Sequence, residues 1–166
     1  MKDFDEILEG VKAKIAAACQ RAGRDPGEVE IIAVTKTHGA EVVKEAWDAG
    51  LRIVGENKVQ EAAWKKPASV TGPLWHLIGH LQSNKVRKAL ELFDFFHSVD
   101  SAGLADRMNA IAQDLGASHA SFTTSAPCVF VTAMISTSPG SRPTRLHAAA
   151  MRDFTSLRIV SIGFID

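Results

Sequence analysis

The feature that most constrains the fold is a regular alternation of short apolar runs and amphipathic helical segments over the first 116 residues. The apolar runs begin at Ile31, Leu51, Leu74 and Phe93, about twenty residues apart. Runs of this length predict strands, and strands separated by helices pair in parallel because the chain must cross back over the sheet between them. Right-handed crossovers then leave two α/β architectures, a (β/α) barrel and a doubly wound sheet.

Turn and capping signals define the elements of this repeat. Asn57, with Gln60 three residues later, resembles a helix N-cap and its capping partner. Asp100 or Ser101 caps the last helix, and a loop is predicted over residues 67–73. The predicted strands are residues 31–36, 51–54, 74–78 and 93–99, and the predicted helices are residues 4–22, 42–50, 57–65, 84–92 and 101–116.

The composition of the chain changes after this regular part. Residues 1–116 hold 17 of the 19 acidic and 15 of the 19 basic residues, and no lysine follows Lys88. The remaining chain is rich in Ser and Thr and contains three of the six prolines. Residues 128–135 and 157–165 are consistent with a fifth and a sixth strand, but the link over residues 136–146 has no helical stripe.

Composition argues against several classes of function. The net charge is zero, so nothing points to a nucleic-acid partner. No apolar run approaches the roughly 18 to 20 residues that cross a bilayer. The N-terminus also lacks a secretion signal, so we expect a cytoplasmic protein without a membrane partner. Cys19 and Cys128 lack the spacing of a disulfide or metal motif and are expected to be buried free thiols.

Local motifs for metal or nucleotide binding are missing. The six histidines form neither HxH nor HExxH, so we expect no metal. His76 and His97 lie in predicted strands, where a histidine is typically a core residue bonded to backbone. The glycines form neither GxGxxG nor GxxxxGK[ST], which gives no support to nucleotide binding by a glycine-rich loop.

Polar residues follow the carboxyl end of each predicted strand. Lys36 ends the first strand, and Asn57, His80 and Asp100 follow the next three. Because parallel strands end at one edge of a sheet, these residues belong to a single site, at the rim where barrels bind ligands. A lysine there can form a Schiff base with an aldehyde, act as a general base, hold a phosphate as a point charge, or only extend into water.

Four segments of the chain resemble, in order and spacing, the YggS/PROSC family of pyridoxal-phosphate homeostasis proteins. The segments are residues 32–37, 55–61, 75–85 and 97–101, and the eleven-residue stretch WHLIGHLQSNK is the most specific of them. The resemblance covers about residues 4–116. It implies a (β/α) TIM-type barrel of pyridoxal phosphate (PLP) fold type III, like the N-terminal domain of alanine racemase. It further implies PLP bound as a Schiff base on Lys36, with Asn57 and His80 lining the site.

The resemblance also implies a function in PLP homeostasis. The protein would hold the cofactor without a defined turnover reaction, and amino acids or keto acids are further small-molecule partners. No residue is assigned a catalytic function. A PLP-dependent racemase-like enzyme is the alternative, but racemases of this kind need a second acid/base, usually a tyrosine, and the chain contains no tyrosine.

The tail departs from the family pattern, because the expected V-N-x-S-type strand and the phosphate-binding motifs are missing. Five or six strands are recognisable, whereas an eight-stranded barrel takes roughly 200 residues or more, so we expect an incomplete barrel. Residues 1–116 would form the N-terminal helix and four βα units, and residues 117–166 an atypical tail of the same domain, frameshifted or truncated. A non-functional fragment is a third possibility. We expect a monomer that self-associates if open strand edges remain.

Overall fold

A parallel sheet with helical crossovers forms the protein, as the alternation predicts. The computed structural model describes residues 4–115. It also describes the backbone of two further strands, at residues 131–136 and 159–165. The helices are α1 (Phe4–Ala22), α2 (Glu41–Asp48), α3 (Val59–Ala68), α4 (Val86–Leu92) and α5 (Ala102–Asp114). The strands are β1 (Glu30–Val34), β2 (Ile53–Glu56), β3 (Leu74–Leu77), β4 (Phe95–Phe96), β5 (Val131–Ser136) and β6 (Ile159–Ile165).

The sheet has six strands in the order β4-β3-β2-β1-β6-β5, and every pairing is parallel. The first four strands therefore lie in chain order, and the two strands of the tail continue the sheet beyond β1. β4 and β5 are its edges, and no pairing between them closes the sheet within the described part of the chain. The prediction of a parallel α/β sheet with five or six strands is confirmed.

The five described helices all pack on one face of the sheet. Two apolar clusters join residues of the five helices to strand residues, among them Ala33, Val54 and Trp75, which are aligned across β1, β2 and β3. A third cluster, on the opposite face, consists of strand and strand-end residues and includes Ile32 and Ile53. A doubly wound sheet would carry helices on both faces. Helices on one face are the arrangement of a (β/α) barrel, so the structure separates the two predicted architectures.

Several predicted boundaries were wrong. Asn57 does not cap α3, because the N-cap is Lys58 and makes no side-chain bond to the helix. The same helix continues through Pro67 to Ala68, where a loop was predicted. A proline so near the end removes one helical N–H and leaves the rest of the last turn intact. The cap of α5, by contrast, is one of the two predicted: Ser101 is the N-cap, since its hydroxyl accepts a bond from the Leu104 N–H.

The fourth strand is shorter than predicted. Residues 93–99 were predicted, but Phe93 is still the C-cap of α4, its N–H bonded to the Ala89 carbonyl. Only Phe95 and Phe96 pair in the strand ladder. The helix predicted from residue 84 also starts differently, with a single 3₁₀ turn over Ser83–Lys85.

Two further sequence predictions concern cysteines and membranes. Cys19 is a buried free thiol, as predicted, and Cys128 lies outside the described residues. Across the described helices, none is both long enough and apolar enough to cross a membrane.

Candidate functional site

The carboxyl ends of β1 to β4 lie at one edge of the sheet, because these strands are parallel neighbours. Lys36 follows β1, Asn57 follows β2 and His80 follows β3. The three predicted site residues therefore belong to the same edge. Within the described residues, no hydrogen bond or ion pair joins Lys36 to Asn57 or His80.

Lys36 lies in a tight turn at the end of β1. The His38 N–H donates to the Thr35 carbonyl over 3.2 Å and closes the turn, with Lys36 and Thr37 at its centre. Thr37 has a φ of 68°, in the left-handed region. That conformation is usual for glycine or asparagine at the third position of a type II turn and unfavourable for a β-branched residue. Other contacts must therefore hold Thr37 in place.

Two hydrogen bonds fix the centre of this turn. The Thr37 N–H donates to Oε2 of Glu61 on α3 over 2.9 Å. The Thr37 hydroxyl donates to the Lys36 carbonyl over 2.6 Å. In addition, the Thr35 N–H donates to the Gly55 carbonyl over 3.1 Å, which extends the β1–β2 ladder up to the turn.

A buried ion pair lies directly beneath the turn. Nζ of Lys65 donates to Oε1 of Glu56 over 2.5 Å and to the Thr35 carbonyl over 2.6 Å. The Thr35 hydroxyl donates to the same Glu56 oxygen over 2.7 Å. Thr35, Glu56 and Lys65 are all fully buried. Burial raises the pKa of the Glu56 carboxyl, although the hydrogen bonds from Lys65 and Thr35 act in the opposite direction. The other Glu56 oxygen, Oε2, is buried and has no hydrogen-bond partner among the described residues.

Thr35 and Lys36, the two residues that follow β1, differ in their surroundings. Thr35 faces α3, because its hydroxyl contacts Glu56 and its carbonyl contacts Lys65. Lys36 is the next residue along the chain and lies in the turn, beyond the last residue of β1. The residue is half-buried, and within the described chain no hydrogen bond or ion pair holds its amine.

Asn57 and His80 differ in their surroundings. Asn57 is half-buried and adjoins the turn after β3, where a Cβ on Gly79 would come within 2.3 Å of the Asn57 carbonyl oxygen. Only glycine allows this approach. His80 is exposed, and its Nδ1 lies 3.2 Å from Oδ2 of Asp100, which follows β4. The ends of β2 and β3 are thus packed together, while His80 lies at the outer rim.

Two histidines form a pair on the face of the sheet opposite the five described helices. The residues aligned across β1 to β4 on this face are Val34, Gly55, His76 and Phe95. His97 follows Phe95 two residues later along the chain. Nδ1 of His76 lies 2.9 Å from Nε2 of His97, and Nε2 of His76 is buried with no partner among the described residues. Burial, together with the neighbouring His97, lowers the pKa of His76 to about 3, and burial lowers the pKa of His97. The strand pattern predicts bonds to backbone for such histidines, whereas His76 bonds to a second histidine.

Sequence reasoning missed Thr37, Glu61, Lys65 and the histidine pair. Glu61 and Lys65 are four residues apart in a helix, and this spacing places them on one helix face. Nothing in the sequence shows that this face meets the turn at Lys36, which is 24 or more residues away. Within the described residues, no group of three or more His, Cys, Asp or Glu side chains could hold a metal ion.

A parallel sheet whose five described helices pack on one face is typical of the α/β-barrel class of proteins, and Lys36 follows a strand at its carboxyl edge. Residues 8–122 match the family model described as alanine racemase, N-terminal domain, and the chain belongs to this family.

Relatives and solved structures agree with this assignment. The chain is 46% identical over 113 residues to the pyridoxal phosphate homeostasis protein of Escherichia coli. The alignment covers 66% of this chain and 48% of the relative. The protein of the same name from Pseudomonas aeruginosa is 46% identical over 110 residues, with the same coverage. The chain therefore spans about half the length of the curated relatives it matches. The resemblance to this group of proteins, predicted from four segments, is confirmed.

Two solved structures share the fold. PipY of Synechococcus elongatus, solved with PLP bound, is 39% identical, with a TM-score of 0.53 over 75% of this chain and 54% of that one. A protein of Bifidobacterium adolescentis is 30% identical, with a TM-score of 0.62 over 86% of this chain and 61% of that one. The fold class predicted from the resemblance, the PLP fold type III barrel, is therefore confirmed, with six strands in the described part.

Proposed function

We propose that the protein binds PLP in cofactor homeostasis and holds it covalently on Lys36. The observation that carries the proposal is the position of the Lys36 amine. Lys36 follows β1 at the carboxyl edge of the sheet and is half-buried, and its amine has no hydrogen bond or ion pair among the described residues. PLP supplies an aldehyde, which condenses with a neutral amine to give a Schiff base and water. The names of the relatives and the PLP in PipY support this choice of ligand.

Asn57 and His80 are proposed to line the same site. Asn57 offers a half-buried amide next to the turn after β3, which suits a hydrogen bond to a ring substituent. His80 is exposed and paired with Asp100, so its contribution would be made at the rim. The arginines of the tail, which are candidates for the cofactor phosphate, lie outside the described residues. These are Arg142, Arg145, Arg152 and Arg158.

A carrier function is favoured over turnover. Racemisation by the usual route needs an acid/base opposite the lysine, and the chain contains no tyrosine. Amino acids would then act as partners that compete with Lys36 for the aldehyde, and keto acids would be further small-molecule partners. The parallel pairing of β6 with β1 supports the proposal that residues 1–116 and the tail form one domain. The expected monomer, with self-association through open edges, stays a prediction.

The experiment is to mix the purified chain with PLP and record its absorbance and melting curve. We expect a Schiff-base band, and mass spectrometry after borohydride reduction should place the modification on Lys36. Binding to the folded state raises stability by about 2.7 kcal/mol when PLP is at 100 times its Kd. Lys36→Ala should remove both signals. Lys44→Ala is the matched control, because Lys44 is exposed and, among the described residues, its ion pair is with Asp48 on its own helix.

The result that would overturn the proposal is equally specific. A chain that melts cooperatively but gains neither the band nor stability from PLP would be a folded fragment without this function. A band that persists in Lys36→Ala would show that another amine reacts.

A further inference from the structure

The turn that carries Lys36 is held in a conformation that its own sequence disfavours. Thr37 has a φ of 68°, which a β-branched residue adopts only when its surroundings require it. The next residue along the chain from Lys36 is thus under strain. Its relaxation to negative φ would rotate the adjoining peptide and redirect the Lys36 side chain.

Helix α3 holds this turn on both sides of Lys36. Glu61 accepts the Thr37 N–H over 2.9 Å, and Lys65 donates to the Thr35 carbonyl over 2.6 Å. The two residues are four apart and therefore share a face of α3. Lys65 is fully buried and also bonds Glu56, the residue before Asn57. One helix face thus connects the ends of β1 and β2, two of the three strands that the proposed site residues follow.

The Glu61 carboxylate is held toward the turn. Its side chain is 20% exposed, and its second oxygen, Oε1, lies 3.6 Å from Nζ of Lys58. One Glu61 oxygen therefore accepts a hydrogen bond from the turn, and the other pairs with a surface lysine. This division allows the bond to the turn to be tested separately from the ion pair.

We propose that Glu61 is a positioning residue, which, together with Lys65, holds Thr37 in its left-handed conformation and so directs the Lys36 amine to the cofactor. The proposal rests on the proposed function, since it assigns a geometry to the lysine that would bind PLP. It adds to the site two residues that bond to the backbone next to Lys36. Their effect passes through the backbone on either side of Lys36.

The test is a double-mutant cycle between Glu61 and Thr37, read by the Schiff-base band in a PLP titration. Glu61→Ala should weaken PLP attachment about tenfold, the effect of losing one hydrogen bond to a charged group. Glu61→Gln keeps an acceptor and should recover most of the affinity. Glycine adopts positive φ without strain, so adding Thr37→Gly to Glu61→Ala should restore attachment although the bond itself stays broken. A purely structural function for Glu61 would not predict that rescue.

Lys58→Ala is the matched control, because it removes the ion pair of Glu61 and leaves its bond to the turn. It should bind PLP like the starting protein. If Glu61→Ala melts below the assay temperature, Glu61→Met replaces it, since it keeps the bulk of the side chain and removes the acceptor.

The outcomes separate the two proposals. If the unmodified chain shows no band that depends on Lys36, the proposed function fails. If it shows the band and Glu61→Ala binds PLP as well as Lys58→Ala does, the positioning of Lys36 by Glu61 is overturned. An affinity loss in Glu61→Ala that Thr37→Gly does not recover would also overturn it.

Discussion

At the scale of single residues, the buried pair of Glu56 and Lys65 links stability to the site. The Glu56 carboxyl and the Lys65 amine lie beneath the Lys36 turn with no solvent exposure. Removing one partner of a buried ion pair leaves the other charge uncompensated, which costs more than the pair itself contributes. The Lys65 ammonium also satisfies the Thr35 carbonyl, so its loss would leave a buried acceptor without a bond.

Lys65→Met should therefore lower the free energy of unfolding by about 3–5 kcal/mol at neutral pH. Adding Glu56→Gln should recover part of this loss, because the remaining group is neutral. Burial raises the pKa of Glu56, because a protonated carboxyl costs less to bury than a charged one. The loss of unfolding free energy in Lys65→Met should therefore shrink as the pH falls toward 5. Urea unfolding at pH 5 and pH 7.5 measures this. A defect that grows at pH 5 would contradict the account.

His76 makes stability depend on pH in the opposite sense. Its pKa in the fold is about 3, below the ordinary value of 6.5, so the unfolded chain binds the proton first as the pH falls. The contribution of His76 to the free energy of unfolding is complete above about pH 6.5. Between pH 6.5 and pH 3 this contribution is lost, by up to about 1.4 kcal/mol per pH unit. His76→Asn should flatten the urea-unfolding profile between pH 7 and pH 5. Equal slopes for the two proteins would show that His76 does not carry the effect.

At the scale of elements, the periodic signals predicted what is local. Stripes of apolar residues located all five helices, and the apolar runs located the first four strands. The boundaries failed where tertiary contacts decided them: Phe93 stayed bonded to the helix before β4, and α3 continued through Pro67. The position of Lys36 followed from the strand pattern alone. Its support by Glu61 and Lys65 could not, because those contacts join residues 24 and 30 apart.

The cap of α5 gives an element-scale prediction. The Ser101 hydroxyl accepts the Leu104 N–H over 3.3 Å, one of the N–H groups that a helix start leaves unpaired. Ser101→Ala should cost about 1 kcal/mol of unfolding free energy. Ser83→Ala is a suitable control, because Ser83 contributes its carbonyl, and not its hydroxyl, to the bond from Arg107. Thermal melts of both variants measure the difference; equal melting temperatures would mean that the cap adds nothing.

At the scale of the whole molecule, β1 is the strand on which the two parts of the chain meet. It pairs with β2 on one side and with β6 of the tail on the other, and the β6 register runs along its whole length, from Glu30 to Val34. The compositional change after residue 116 predicted a boundary, but composition carries no information on strand pairing. β1, the strand that leads to Lys36, lies inside the sheet because β6 of the tail pairs with its second side.

Proline in β6 tests this dependence. Ile162 is aligned with Ala33, so Ile162→Pro removes an N–H from a strand with neighbours on both sides. A hydrogen bond lost from the strand ladder costs about 1 kcal/mol or more, and we expect PLP attachment at Lys36 to weaken as the end of β1 loosens. Ile162→Val keeps the N–H and the β-branched side chain, so it should match the starting protein. If Ile162→Pro unfolds at the same urea concentration as Ile162→Val and binds PLP equally, the tail does not hold β1 and the residues before 117 form the site alone.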